Sequence, residues 1–223
     1  MTFKDRAQAG RLLAKKLERY AGTDALVLAL PRGGVPVGAE IALALSADLD
    51  IVIPRKIPAP SDPELAIGAV SDHGVLLNDD LIRSLSVTRD YMREAVAKER
   101  AEIERRSRLY RGSEPVPSIK GRTVIIVDDG VATGYTMLAA LRGAKTQEPM
   151  RLVAAVPVAP PETVPTLEAE ADEVVVLSTP ALFFAVGQFY EDFTQVSDEE
   201  VQALLARVRR FRNAPKTPPE ESP

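Results

Sequence analysis

The chain has no cysteine and no tryptophan, and one histidine among its 223 residues. Without cysteine there is no disulfide framework, no thiolate nucleophile and no cysteine-bound metal site. His73 alone cannot form a histidine cluster, which removes the usual zinc and non-haem iron centres. Aromatic residues make up only 5% of the chain, so a stretch in which several fall together stands out. No apolar run approaches the ~20 residues needed to cross a bilayer. The opening Met1-Thr-Phe-Lys-Asp-Arg lacks the apolar core of a signal peptide. A net charge of −4 argues against nucleic acid as a bulk partner. What remains is a cytoplasmic enzyme or binding protein, with no membrane partner and, at 45% hydrophobic residues, enough apolar content to bury one domain.

Alternation of apolar runs and amphipathic stretches predicts an α/β chain with a largely parallel central sheet flanked by helices. Phe3–Tyr20 reads as a helix, Ala25–Leu30 as a buried strand, Val35–Leu45 as a helix and Leu49–Ile53 as a strand. Pro54–Glu64, with Pro58, Pro60 and Pro63, reads as a loop. Leu65–Val70 and Val75–Leu77 read as short strands about a turn at Ser71-Asp72-His73-Gly74, which places His73 in a turn or at the surface. Thr88–Tyr110 is a charged helix whose acids and bases pair at i,i+4, so its many arginines read as a solvated face. Its apolar stripe is thin enough to suggest contact with a neighbouring subunit, as in a homodimer. Leu152–Val158 and Glu173–Leu177 are further strands, with a helix over Glu162–Glu170 between them. Ser197 with Glu200 opens a last helix to Arg212. Residues 214–223 are polar and proline-rich and read as a disordered tail.

Thr123–Thr136 is the most informative segment. Thr123–Val127 is a β-branched run suited to a strand buried on both faces. Asp128 and Asp129 fall at its carboxyl end, and Gly130–Thr136 is a small, hydroxyl-bearing turn before a helix. A helix amino terminus offers unpaired N–H groups and a positive dipole end, so this turn suits a phosphate. Carboxylates beside it suit the vicinal hydroxyls of a sugar phosphate. A nucleoside triphosphate loop would need lysine after Gly134, where Tyr135 stands.

This run closely resembles the phosphoribosyl pyrophosphate (PRPP) signature of type I phosphoribosyltransferases. The resemblance implies that fold over residues 1–213, with an inserted helix near 88–110 and a small hood near 178–196. Gly130, Val131, Ala132, Thr133, Gly134, Tyr135 and Thr136 would then hold the 5-phosphate. Asp128 and Asp129 would meet the ribose hydroxyls, directly or through waters on magnesium. Leu30-Pro31-Arg32-Gly33-Gly34 resembles the family's pyrophosphate loop, which often carries a non-proline cis peptide. Arg32, Gly33 and Gly34 would thus bind pyrophosphate, joined by Arg55 and Lys56 at the start of a closing loop. Phe183, Phe184, Phe189 and Tyr190 resemble the acceptor hood of the hypoxanthine-guanine enzymes, with Glu191 where those enzymes place an acid near magnesium. Val174–Tyr190 has no lysine, however, and departs there from the purine enzymes' reading of a 6-oxo group. The order of segments, including Phe3-Lys-Asp-Arg-Ala-Gln-Ala-Gly and Pro63-Glu-Leu-Ala-Ile-Gly-Ala-Val, is similar to stand-alone phosphoribosyltransferases of unsettled substrate.

The implied activity is transfer of 5-phosphoribosyl from PRPP to a nitrogenous acceptor, with Asp128, Asp129, Arg32 and Lys56 as catalytic residues. Two alternatives stay open at this level: a non-catalytic PRPP-sensing regulator, and a hydrolase acting on PRPP or a nucleotide.

Overall fold

A computed structural model describes residues 1–214 of the chain. The tail expected from 214 onward therefore lies outside the described residues from 215. Helix α1 (Arg6–Lys16) opens on Asp5, whose side chain accepts from the amide of Gln8. It is shorter than the expected Phe3–Tyr20, because Phe3 is drawn into a bridge with Tyr190 and Glu18–Tyr20 tightens into a 3-10 turn. Strand β1 (Ala25–Ala29), helix α2 (Gly34–Leu45) and strand β2 (Asp48–Ile51) follow. After an intervening unit come β6 (Thr123–Val127), α5 (Tyr135–Lys145), β7 (Arg151–Val158), α6 (Val164–Glu168), β8 (Glu173–Ser178) and α7 (Asp198–Asn213). The Ser197 hydroxyl accepts from the Glu200 amide, which caps α7 as the sequence indicates.

Strands β2, β1, β6, β7 and β8 form one parallel sheet in that order. Every residue of β1 and β6 is buried, as apolar strands covered on both faces must be. Alternate side chains divide between two cores. Val27, Ala29, Ile125 and Val127 pack with α1, α2 and α7, while Leu26, Leu28, Val124 and Ile126 pack with α5 and α6. The carboxyl ends of β1 and β6 consequently lie side by side, and the turns that follow them meet. No helix among the described residues is long and apolar enough to cross a membrane.

The intervening unit departs from expectation. Pro54–Glu64 is not a loop: it contains β3 (Arg55–Ala59) and the start of β4 (Asp62–Ser71), which with β5 (Gly74–Leu77) make an antiparallel sheet in the order β3-β4-β5. Pro58 is tolerated because β3 is an edge strand whose register shifts on both sides of that residue. Beyond a short helix α3 (Asp79–Ser84), helix α4 (Arg89–Arg111) packs against β3 and α7 of its own chain. Ile103 and Tyr110 are buried there, and the Tyr91 hydroxyl donates to the Pro58 carbonyl at 2.9 Å. Met92 and Val96, partly buried, pack on the same core, so the thin stripe has contacts within its own chain.

Arg111 ends α4 in the interior. Its guanidinium, 2% exposed, donates to both oxygens of Asp50 at 2.9 and 2.8 Å, to Asp72, to the Ser107 hydroxyl and to the Ile51 carbonyl. One cation therefore joins β2, the β4–β5 turn and α4.

His73 sits in that turn but is buried at 6% exposure, a correction to the surface reading. Its Nε2 has no hydrogen-bond partner among the described residues. Burial lowers its pKa below the ordinary 6.5, opposed by the charge of Asp72 and assisted by Arg111. The unfolded chain thus binds the proton more readily, and stability declines as pH falls below about 6.5. His73→Leu should remove that decline, flattening the urea-midpoint profile between pH 7 and 5. It should also leave stability at pH 7 within about 1 kcal/mol of the parent or above it, since the orphaned nitrogen is gone. An unchanged acid limb would assign the decline to other groups.

Candidate active site

The turns after β1 and β6 carry most of the candidate residues. Leu30 donates its amide to the Val127 carbonyl at 2.9 Å, which binds the root of one turn to the end of the other strand. Glycine is required at this junction. A Cβ on Gly33 would lie 2.1 Å from Asp129 Oδ2, and one on Gly34 would lie 2.6 Å from the Val127 carbonyl oxygen. The backbone of 31–34 therefore lies directly on the acid pair. The peptide between Pro31 and Arg32 is cis.

The two acids differ in their surroundings. Asp128 is half-buried, and its Oδ1 accepts from the Asp129 amide at 2.8 Å. Burial raises its pKa well above the usual carboxylate value, and the neighbouring Asp129 charge raises it further. Asp129 is buried and is also raised by desolvation, but Arg6 opposes the shift by donating Nε to its Oδ2 at 2.7 Å. The Tyr190 hydroxyl donates to the Asp129 carbonyl at 2.6 Å.

Beyond the acids the chain turns into α5. Gly134, at φ 82°, takes the left-handed conformation that lets the backbone enter the helix without a capping side chain. The amino terminus of α5 is left open, with Thr133, Tyr135 and Thr136 exposed around it. The other wall is fixed. Val131 donates its amide to the Val158 carbonyl at 2.9 Å, and the Thr163 hydroxyl donates to the Ala132 carbonyl at 2.9 Å. A Cβ on Gly130 would collide with Val186 at 2.5 Å, so this glycine admits the 186–189 turn.

Two of the proposed pyrophosphate cations, Arg32 and Arg55, are engaged with acids of the chain. Arg32 lies 3.6 Å from Asp198, which also accepts from the Tyr110 hydroxyl at 2.7 Å. Burial and then this acceptor push the Tyr110 phenol up to about 12, so it remains a donor. Arg55 and Lys56 lie on β3 and not on a loop. Arg55 donates to Glu99 at 2.7 Å, and Lys56 is exposed. The Arg32–Asp198 pair is more than one-third exposed on both sides, and exposed pairs of this kind are weak enough to yield to a multiply charged anion.

The aromatic segment divides in two. Phe189 and Tyr190 are buried with Phe3, Ala9 and Val158, so they support the site from beneath and do not face an acceptor. Phe183 is half-buried against Phe189, with ring centroids 5.1 Å apart, and Phe184 is 86% exposed. Gln188 folds the turn, accepting from the amides of Phe184 and Ala185 and donating to the Leu182 carbonyl. Glu191 is exposed. Among the described residues no three acidic or histidine side chains are gathered as a metal site, so Glu191 does not join Asp128 and Asp129.

Arg6 and Thr163 are not singled out by sequence reasoning. Arg6 does fall within Phe3-Lys-Asp-Arg-Ala-Gln-Ala-Gly, a segment noted for its resemblance alone, but its partner lies 123 positions away.

A phosphoribosyl transferase domain family matches residues 61–194. A protein of Mycobacterium tuberculosis H37Rv named as a phosphoribosyl transferase, Rv0571c, is 47% identical over 210 residues, 93% of this chain. The match covers 47% of that protein, so the chain spans about half the length of the curated relatives it matches. The crystal structure of TT1426 from Thermus thermophilus superposes with a TM-score of 0.84 at 45% identity, covering 93% of this chain and 99% of that one. By the matched domain, which contains the signature strand, both acids and the open helix terminus, the chain belongs to the phosphoribosyl transferase family.

Proposed function

We propose that the chain transfers 5-phosphoribosyl from PRPP to a nitrogenous acceptor and releases pyrophosphate. The observation that carries this reading is the junction of the 31–34 backbone with the Asp128–Asp129 pair beside the uncapped amino terminus of α5. Such a junction can hold a pyrophosphate, the ribose hydroxyls and a 5-phosphate in sequence. The bond between C1 and the pyrophosphate oxygen breaks with its electron pair leaving on oxygen. The acceptor nitrogen then forms the new bond to C1, and its proton passes to solvent or to the departing anion. Asp128 would accept from the ribose hydroxyls and place negative potential near the developing cation. The amides of α5 and the Thr133 and Thr136 hydroxyls would fix the 5-phosphate away from the reacting carbon. Arg32, released from Asp198, would meet the departing pyrophosphate together with Lys56.

The donor set suits magnesium, a hard cation that takes one or two carboxylates and completes its shell with water and substrate phosphate. Asp128 supplies such an oxygen without an all-protein cage, while Asp129 Oδ2 is engaged by Arg6. When bound with PRPP, magnesium would neutralise charge on the leaving pyrophosphate.

PRPP with magnesium should raise the melting temperature, by the equivalent of about 2.7 kcal/mol at 100 times Kd. Pyrophosphate should appear only when an acceptor base is added. No thermal shift at millimolar PRPP and magnesium would overturn the reading. Release without acceptor would support the hydrolase, and binding without turnover across a panel of bases would support the regulator.

A further inference from the structure

Arg6 lies in the first turn of α1, well before the matched residues 61–194. Its guanidinium is 11% exposed and the Asp129 carboxylate 13% exposed, with Nε and Oδ2 at 2.7 Å. Nη1 donates to the Thr194 carbonyl at 2.8 Å, and the guanidinium carbon stands 3.9 Å from the centroid of the Phe193 ring. The same Asp129 oxygen leaves no room for a Cβ on Gly33, and the Asp129 carbonyl receives the Tyr190 hydroxyl. Asp129 thus touches the 31–34 turn through its side chain, the 189–194 segment through its carbonyl, and α1 through Arg6.

An arginine does not discharge, and separating a buried ion pair by removing one partner is costly. The charge of Asp129 is therefore committed to the protein. Asp128 has no such commitment: among the described residues no basic side chain forms an ion pair with it. The amino-terminal segment is itself tied to the same region. Phe3 donates to the Phe189 carbonyl, Glu191 donates to the Phe3 carbonyl, and Asp192 donates to the Lys4 carbonyl, at 2.8, 2.8 and 2.9 Å.

We propose that Arg6 is a positioning residue that fixes Asp129 as the junction of the 31–34 turn, the signature turn and the 189–194 segment, leaving Asp128 as the carboxylate that meets the ligand. The two acids of the signature then have separate tasks, one internal and one external. The ligand side of this inference rests on the PRPP reading above; the junction does not.

The test uses the full chain with Arg6→Met and Arg6→Lys. Without ligand, Arg6→Met should speed amide hydrogen exchange by at least about 10-fold at 31–34 and 189–194, since loss of one charged hydrogen bond opens both. Strand β4 should be unaffected. Equal exchange in the parent and the variant would overturn the junction. With PRPP and magnesium, calorimetry should give binding at least about 10-fold weaker for Arg6→Met. Millimolar guanidinium ion should restore part of it, a rescue that a general loss of packing would not allow. Arg6→Lys keeps the charge but lacks the planar fork, so it should fall between the two. Parent binding with unchanged affinity in Arg6→Met would overturn the positioning role. If the parent does not bind PRPP, the proposed function fails while the exchange measurement still decides the junction. If Arg6→Met does not fold, Arg6→Lys carries both measurements.

Discussion

Asp128→Asn is expected to lower turnover by at least about 10²-fold, with pyrophosphate release measured in the presence of an active acceptor. The substitution keeps the shape of the side chain and removes the charge that would face the ribose during bond breaking. Stability should hold or rise slightly, because burial and the adjacent acid already disfavour ionisation of Asp128. Asp129→Asn should behave differently. It leaves the Arg6 guanidinium buried without its counter-ion, at a cost of about 3 kcal/mol in unfolding free energy. A stable, inactive Asp128→Asn beside a destabilised Asp129→Asn would distinguish the two acids. Full activity in Asp128→Asn would remove this carboxylate from the chemistry.

The largest expected effect on stability belongs to Arg111→Met. Arg111 neutralises Asp50 and Asp72, both buried, and Asp50 is already pushed above the usual carboxylate range by burial despite the cation beside it. Removing the cation strands two carboxylates in a low dielectric and frees the Ile51 carbonyl. A loss of about 3–5 kcal/mol is expected, with a melting temperature lower by on the order of 10 °C. Adding Asp50→Asn and Asp72→Asn to Arg111→Met should recover much of the loss, because the stranded charges are then gone. A loss below about 1 kcal/mol for the single variant would mean that water reaches the network.

The parts of this architecture legible in the sequence are those built from neighbouring residues. Thr123–Thr136 carries its strand, its acids and its open helix end in one contiguous run, so no distant contact is needed to read it. Ser197 and its cap are local in the same way. Where partners are distant, the sequence is silent or misleading. Pro58, Pro60 and Pro63 suggest a loop, and only the edge position and shifted register of β3 explain how Pro58 sits in a strand. Phe189 and Tyr190 are placed in an acceptor hood by the resemblance of their segment to the hypoxanthine-guanine enzymes, yet both are consumed by packing on Phe3 and Val158. His73 reads as a turn residue and is one, but the burial of that turn depends on neighbours that local pattern does not reveal. Arg6 has no local signal at all, since an arginine in the first turn of an amphipathic helix is ordinarily solvated.

The pairing of β1 with β6, from Ala25 with Thr123 to Ala29 with Val127, sets an order of events during synthesis. In the finished sheet β1 is an interior strand. In a nascent chain that has not yet reached Thr123 it is an edge, apolar on both faces and open along one side. At about 5–20 residues per second the interval before β6 arrives is roughly 5–20 s. The β3-β4-β5 unit, whose pairings are local, can close within that time, whereas the parallel sheet cannot. The two turns that would grip opposite ends of a ligand come into being together, when the last of these strands docks. Until then the bare edge of β1 is where the growing chain is open to mispairing or to a chaperone.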